Sequence, residues 1–157
     1  PKKEHPVHGI VVEGVDNCLV KFSRCCTPVP GDDIVGFITR GFGVSVHRRD
    51  CKNYIRSVSN PEEKDRWINV KWANTDSEKY TTAIHITAKE RSGLVMDIAM
   101  VLNSANLKIT SFNARDVGNG MSTATVVLGV RNSIELKSTM AKLNSIKGVT
   151  EVTRGQE

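Results

Sequence analysis

Short apolar runs separated by turn residues characterise the first half of the chain. Each run is bounded by Gly, Pro, Asp or Asn, which is typical of β-strands and turns. The four runs lie at residues 9–13, 18–22, 34–38 and 44–47. The strongest turns are at 28–33 and 40–43, and a further strand is predicted at 67–72. Asp50 is placed to cap a short helix that reaches Arg56.

The second half of the chain alternates between the period of a strand and the period of a helix. Residues 80–88 alternate apolar and polar positions, whereas residues 92–105 carry an apolar stripe at helical spacing. The remaining predicted elements are strands at 108–117 and 122–130 joined by a hairpin turn, a helix that Asn132 or Ser133 caps, and a strand at 147–153. The predicted order is therefore β-α-β-β-α-β.

This order is typical of a four-stranded antiparallel sheet with two helices on one face, the ferredoxin-like arrangement. The sequence thus predicts an α+β protein with a small β-rich domain at 1–73 and a ferredoxin-like domain at 74–157. The boundary falls in the polar segment 74–79. Because exposed strand edges commonly need a partner, we also predict a homodimer through the second domain.

Composition adds limits to this picture. The chain has 157 residues and is 39% hydrophobic, as expected of a folded protein. It contains no apolar run long enough to cross a membrane and no secretory signal pattern, so we expect a soluble, cytoplasmic protein without a membrane partner. The chain begins at Pro1 without a methionine, and we expect it to be a fragment of a longer protein.

Positive charge is concentrated in one short stretch. The formal net charge is +5, and between residues 39 and 56 only Asp50 opposes the basic side chains. The basic residues of this stretch are Arg40, Arg48, Arg49, Lys52 and Arg56. Clustered positive charge of this kind attracts nucleic-acid phosphates with an affinity that falls as salt rises. The alternative is an ordinary solvated face.

Three cysteines and one histidine form the most distinctive chemical pattern in the chain. Cys25 and Cys26 are adjacent, and His47 and Cys51 follow. Thiolates and imidazole are the ligands of tetrahedral zinc, and four of them leave no coordination position for a catalytic water. The site would therefore be structural. The alternatives are buried cysteines without a metal, and a nucleophilic Cys25 or Cys51 with His47 as its base.

A ligand-binding turn is predicted in the second half. Residues 88–94 join a strand to a helix, and backbone amides at the positive end of a helix suit a small carboxylate. Asn113 and Arg115 project from one face of the next strand. The candidate ligand-binding residues are Glu90, Arg91, Ser92, Gly93, Leu94, Asn113 and Arg115. The alternative is an ordinary turn with a solvated Arg91.

Two long motifs resemble one known family. Residues 25–51, which open with Cys-Cys-Thr-Pro-Val-Pro-Gly-Asp and close with Val-His-Arg-Arg-Asp-Cys, resemble the zinc-finger or RIS domain of the long Rel/SpoT stringent-response proteins. Residues 89–98 and 109–115 are similar to the ACT domain of the same proteins. These proteins are (p)ppGpp synthetases and hydrolases (GTP pyrophosphokinases), and the resemblance covers nearly the whole chain, as their C-terminal regulatory region.

The resemblance implies a function for each motif. It places Cys25, Cys26, His47 and Cys51 on metal-type positions, and it implies contact between the basic cluster and large-subunit ribosomal RNA beside deacylated tRNA. Similar ACT domains bind amino acids, often branched-chain ones, at a subunit interface. The catalytic domains of the family lie upstream, so this segment would regulate catalysis in its parent polypeptide and not perform it. A stand-alone amino-acid-sensing module without RNA binding is the alternative.

Overall fold

The computed structural model describes residues 8–14, 18–41, 43–73, 75 and 78–155. The chain divides into two compact units, Pro1–Glu78 and Lys79–Glu157. Helices and strands are both present, and the protein has the predicted α+β class. No helix among the described residues is long and apolar enough to span a membrane.

The first unit is built from short strands. They are β1 (Ile10–Val12), β2 (Val20–Phe22), β3 (Ile34–Ile38), β4 (Val44–Arg48), β5 (Trp67–Ile68) and β6 (Val70–Trp72), with one helix, α1 (Lys52–Val58), and a 3-10 turn at Lys64–Arg66. The main sheet has the order β2-β4-β3-β5, and β1 pairs separately with β6. Within the main sheet, β2 and β4 are parallel and the other pairs are antiparallel.

The core of the first unit lies between its two sheets. Its buried side chains are Ile10, Val12, Val20, Ile34, Val44 and Val46. Cys18 packs against this cluster and is half-buried, as expected of a core cysteine. The ring of Phe22 stacks on Trp72 with 5.7 Å between centroids. Apolar burial of this kind is the main stabilising contribution in such a small unit.

Two local predictions were wrong in this unit. The run at 67–72 is interrupted at Asn69, because Trp67–Ile68 pairs with β3 while Val70–Trp72 pairs with β1 in the other sheet. Asp50 does not cap α1. The N-cap is Cys51, without a side-chain hydrogen bond, and the Asp50 carboxylate lies 3.0 Å from Nε of Arg48 instead.

The second unit has the predicted β-α-β-β-α-β order. Its elements are β7 (Tyr80–Lys89), α2 (Leu94–Ser104), β8 (Lys108–Gly118), β9 (Met121–Val130), α3 (Ser133–Asn144) and β10 (Val149–Arg154). The antiparallel sheet has the order β10-β7-β9-β8, so β8 is an edge strand. The Asn132 side chain caps α3 by accepting a hydrogen bond from the Glu135 amide at 3.0 Å. This arrangement is the predicted ferredoxin-like fold.

The pleat of the second sheet separates a core face from an open face. Along β9, even-numbered residues from Ser122 to Val130 are buried, whereas the odd-numbered residues are only half-buried. Helix α2 buries Leu94, Ile98 and Leu102 at a spacing of four residues, and its opposite side is exposed. The core of this unit thus lies between the two helices and one face of the sheet.

Candidate metal centre and ligand cavity

The parallel pairing of β2 and β4 brings the four predicted metal ligands together. Phe22 pairs with Val46, so the turn that follows β2 lies beside His47 in β4. The backbone amide of Ser23 continues this contact with a hydrogen bond to the Val46 carbonyl at 2.9 Å. Cys51 follows the end of β4 and begins α1. The ends of two parallel strands therefore meet at one point.

Five of the six distances between the ligand atoms are close to the edges of a tetrahedron around zinc, and the sixth, between Cys26 Sγ and Cys51 Sγ, is at most 4.8 Å. With Zn–S near 2.3 Å and Zn–N near 2.0–2.1 Å, tetrahedral edges should be about 3.8 Å between sulfurs and about 3.6 Å between sulfur and nitrogen. Cys25 Sγ lies 3.9 Å from Cys26 Sγ and 3.5 Å from Cys51 Sγ. His47 Nδ1 lies 3.4, 3.8 and 3.7 Å from the three sulfurs. The donor set and its geometry fit a zinc ion.

A tight turn explains how two adjacent cysteines face the same point. The Thr27 amide donates to the Ser23 carbonyl at 2.9 Å, and Thr27 has a left-handed backbone with φ 42°. The turn leaves Cys25 exposed and buries Cys26. The backbone amide of Arg48 also donates to Cys26 Sγ at 3.4 Å. Amide-to-sulfur hydrogen bonds stabilise a thiolate, so the surroundings suit a metal-bound sulfur.

The protonation of the cluster is set by burial and hydrogen bonding. Burial lowers the pKa of His47, which keeps the imidazole neutral, the form that binds metals. Burial raises the pKa of Cys26 strongly, and the neighbouring thiols add to this. Burial also raises the pKa of Cys25, but hydrogen bonds from Ser23, Asn53 and the other thiols outweigh it, so that pKa is lowered. A bound cation would replace the thiol protons.

An aromatic cluster that was not predicted supports His47. The Trp67 ring lies edge-on to His47 with 5.2 Å between centroids, and to Tyr54 with 4.8 Å. Phe37 packs on Trp67 at 4.7 Å. Trp67 and His47 are twenty residues apart in sequence and meet only because β5 and β4 flank β3. The alternating pattern at 67–72 was the one sequence signal for this packing.

The five basic residues of the predicted cluster have different surroundings. Arg48 has a side chain only 13% exposed, with Nε 3.0 Å from Asp50. Arg49 donates to Asp33 at 3.0 Å and to the Tyr54 hydroxyl at 3.4 Å. Carboxylates therefore neutralise both arginines locally.

The remaining basic residues of the cluster are exposed. Arg40 lies in the turn after β3, and Lys52 and Arg56 lie on α1. The Arg56 guanidinium donates to the Asn53 side chain at 2.9 Å and so stays on the surface of the helix. Lys52 and Arg56 keep positive charge accessible beside the cysteine cluster, whereas Arg40 lies at the opposite end of β3 and β4.

The same ion pairs bear on the nucleophilic alternative. Cys25 Sγ and His47 Nδ1 are 3.4 Å apart, close enough for a proton transfer. A nucleophile–base pair needs a third group that orients the base, and the sequence offers Asp33 and Asp50 for this role. Each of them is instead paired with an arginine. The geometry thus favours a ligand set over a catalytic dyad.

In the second unit, a cavity of about 140 Å³ lies between the sheet and the first turns of α2. Its apolar lining consists of Ile86, Ala88, Leu94, Ile98, Ala114 and Ala124, together with Val95. Glu90, Asp116 and Ser122 add polar groups, and the Ser122 hydroxyl donates to the Glu90 carboxylate. Arg115 also contributes to the lining, although it pairs with Thr123 on the open face of the sheet. Of the candidate ligand-binding residues, the cavity brings together Glu90, Leu94 and Arg115.

The other candidate ligand-binding residues lie elsewhere. Arg91 binds the Lys147 carbonyl at 2.7 Å, the Ser92 carbonyl at 3.0 Å and Asp97 at 2.5 Å, so its guanidinium holds the turn together. Gly93 is the N-cap of α2, with φ 82°, a conformation that favours glycine. Asn113 pairs with Thr125 and therefore belongs to the open face of the sheet, away from the cavity.

The fold and the candidate site together define a class of protein with two different domains. The chain combines a β-rich unit with a closed Cys3His ligand set and a ferredoxin-like unit with a small apolar cavity. Neither feature alone identifies a family. Residues 10–73 match the model of the RelA/SpoT RIS domain, and residues 76–154 match that of the ACT domain.

Relatives with similar sequences are GTP pyrophosphokinases. That of Streptomyces coelicolor is 39% identical over 146 residues, which cover 93% of this chain and 17% of the relative. That of Escherichia coli K12 is 35% identical, with 92% and 19% covered. The crystal structure of the ACT domain from the Chlorobium tepidum GTP pyrophosphokinase is 23% identical, with a TM-score of 0.46, and covers 49% of this chain and 99% of that domain.

The chain belongs to the RelA/SpoT family and consists of its RIS domain followed by its ACT domain, which confirms the resemblance of the two motifs. It spans less than a fifth of the length of the curated relatives named above. It corresponds to the RIS and ACT region of those longer proteins.

Proposed function

We propose that this region couples ribosome contact to (p)ppGpp synthesis and hydrolysis in the catalytic domains of the same polypeptide. The RIS domain would be held in shape by zinc and would contact large-subunit ribosomal RNA near deacylated tRNA, in the cytoplasm. The ACT domain would bind an amino acid or a second copy of itself. Such coupling requires that each contact change the balance between two states of the parent protein.

The observation that carries this proposal is the closed ligand set. Cys25, Cys26, His47 and Cys51 have all their ligand atoms within 4.8 Å of one another, and together they could supply the four ligands of tetrahedral zinc. A bound zinc ion would supply structural cross-linking, because no coordination position is left for a reacting water. The ligands connect the turn after β2, strand β4 and the start of α1. Zinc would thereby fix the surface from which Lys52 and Arg56 project.

Elemental analysis of the protein purified without oxygen tests the metal. We expect one zinc per chain, lost in Cys26→Ser, whose sulfur is buried in the cluster. Cys18→Ser is the matched control, because Cys18 is half-buried in the same unit but lies outside the ligand set. Protein that contains no zinc, or a Cys26→Ser variant that retains it, would refute the proposed centre.

The RNA contact rests on the accessible positive charge. Arg48 and Arg49 are paired with carboxylates, whereas Lys52 and Arg56 are exposed on α1. Replacing both exposed residues with Ala should weaken ribosome binding and reduce the salt slope by roughly two phosphate contacts. Lys137→Ala with Lys142→Ala, two exposed charges on α3, is the control. If the variant with Lys52→Ala and Arg56→Ala binds the ribosome with an unchanged salt slope, this contact surface is excluded.

The cavity under α2 supports an amino-acid ligand. Its walls are mainly aliphatic and suit a branched side chain, and the carboxylates of Glu90 and Asp116 could pair with an ammonium group. The adjacent strand β8 lies at the edge of the sheet over eleven residues, and an edge strand can pair with a strand of a second copy. Calorimetry with valine, leucine and isoleucine tests the ligand. Tight binding without any ribosome affinity would favour a stand-alone sensor over a ribosome-coupled region.

A further inference from the structure

The three cysteines of the cluster differ in their access to solvent. Cys25 is exposed, whereas Cys26 and Cys51 are 1% and 5% exposed. Cys26 is further held by the Arg48 backbone amide, which donates to its sulfur at 3.4 Å. A small oxidant dissolved in water can therefore reach the Cys25 sulfur first. The Ser23 hydroxyl lies 2.9 Å from that sulfur and is placed to hydrogen-bond to it.

Cys25 also has a nearby thiol with which it can form a disulfide. Its sulfur lies 3.5 Å from Cys51 Sγ and 3.9 Å from Cys26 Sγ. A disulfide requires an S–S distance of about 2.05 Å and a Cβ–S–S–Cβ dihedral near 90°, which adjacent cysteines rarely achieve. Cys25 lies in an exposed turn and Cys51 at the start of a helix twenty-six residues later. Cys51 is thus the more favourable disulfide partner, because its sulfur is closer to that of Cys25 and its backbone is not constrained by being adjacent in sequence.

We propose that Cys25 is an oxidation site for hydroperoxides and that it forms an intrachain disulfide with Cys51, which removes two of the four ligands and releases the metal. The release of metal rests on the proposed zinc centre. The disulfide does not, because it depends only on the exposure of Cys25 and on the 3.5 Å between its sulfur and that of Cys51. Reduction by a small thiol would restore both ligands.

The chemistry proceeds in two steps. The Cys25 thiolate attacks a peroxide oxygen, the O–O bond breaks, and the leaving oxygen takes a proton and departs as water or alcohol. Cys25 is oxidised to a sulfenic acid by two electrons, which reduce the peroxide. The Cys51 thiolate then attacks the Cys25 sulfur, the S–S bond forms, and hydroxide leaves the sulfur with a solvent proton as water. The sum consumes one hydroperoxide for each disulfide.

Peptide mapping after treatment with hydrogen peroxide tests the connectivity. Trypsin cleaves after Arg24, Arg40, Arg49 and Lys52, so Cys25 and Cys26 lie in the peptide 25–40 and Cys51 in the peptide 50–52. We expect these two peptides to be joined in unreduced digests. We also expect two of the four thiols to be lost per chain, with zinc released in proportion and captured by a coloured chelator.

Variants separate the possible outcomes. Cys25→Ser should abolish the cross-link, whereas Cys18→Ser should leave it unchanged. A cross-link that persists in Cys25→Ser, a disulfide confined to the peptide 25–40, a disulfide between chains, or Cys25 sulfinic acid without a cross-link would each overturn the proposal. Protein that contains no zinc but forms the cross-link would refute the metal centre and leave the oxidation site supported.

Discussion

Single residues show how local pairing determines whether a charge is available. The sequence places Arg48, Arg49 and Arg91 among the candidate binding residues, yet each forms ion pairs or carbonyl contacts within the fold. For Arg49 and Arg91, some of these acceptors are distant in sequence, namely Asp33 and the Lys147 carbonyl. By contrast, the four candidate metal ligands can bind an ion wherever the fold brings their donor atoms close together.

Arg91→Ala should destabilise the second unit. The guanidinium ties the turn before α2 to the Lys147 carbonyl and to Asp97, and its side chain is 26% exposed. We expect the free energy of unfolding to fall by about 1–2 kcal/mol, measured by urea denaturation with circular dichroism. Lys89→Ala, an exposed neighbour, should have little effect. Equal stability of the two variants would contradict a structural role for Arg91.

Gly43→Ala should destabilise the first unit more than Gly41→Ala. Both glycines have positive φ, 147° and 78°. A Cβ at Gly43 would lie 2.3 Å from the Leu19 carbonyl oxygen, whereas a Cβ at Gly41 would meet no atom within 4 Å. We expect a loss of at least about 2 kcal/mol for Gly43→Ala and about 1 kcal/mol for Gly41→Ala, measured by urea denaturation followed by tryptophan fluorescence. Similar losses would mean that only backbone strain matters.

Elements of regular structure follow the sequence closely in the second unit and less closely in the first. Long strands with a clear two-residue period, such as β7 and β9, leave little choice of register, because a slip by one residue would expose the buried face. The run at 67–72 has the same alternation but is divided between two sheets at Asn69. This division is decided by which residues of the run pair with β1 and which pair with β3.

Ala124→Leu should abolish amino-acid binding by the ACT domain. Ala124 is buried on the core face of β9 and lines the cavity, so a larger side chain would occupy the space available to a ligand. Thr125→Leu, the next residue on the opposite face of the same strand, should leave binding unchanged. Calorimetry with valine, leucine and isoleucine measures the effect, and thermal unfolding confirms that both variants fold. Undiminished binding by Ala124→Leu would place the ligand outside this cavity.

At the scale of the whole molecule, each of the two units has its own core. The core of the first unit is formed by short strands around six buried aliphatic residues, and the four metal-type ligands link its turns. The second unit has long strands and two helices. Since small units with few buried side chains commonly depend on a metal, the first unit is expected to depend on zinc and the second to be independent of it.

Removing the metal with a chelator should change tryptophan fluorescence but preserve the ACT domain. Both tryptophans, Trp67 and Trp72, lie in the first unit, and Trp67 contacts the ligand His47. We therefore expect a red shift of the emission, while circular dichroism retains the signal of the ferredoxin-like unit. Restoring zinc should reverse the shift. Unchanged fluorescence after complete chelation would show that the metal does not stabilise the first unit.

The sequence by itself determined the α+β class and the order of elements in the second unit, and it singled out Cys25, Cys26, His47 and Cys51 as candidate ligands of one site. These features depend on local periodicity, turn residues and donor chemistry, which are present in the chain itself. Tertiary structure decided the close approach of the four candidate ligands, the aromatic contact of Trp67 with His47, the ion pair of Arg49 with Asp33 and the cavity under α2. Each depends on contacts between residues far apart in sequence, which exist only when strands from different parts of the chain pair.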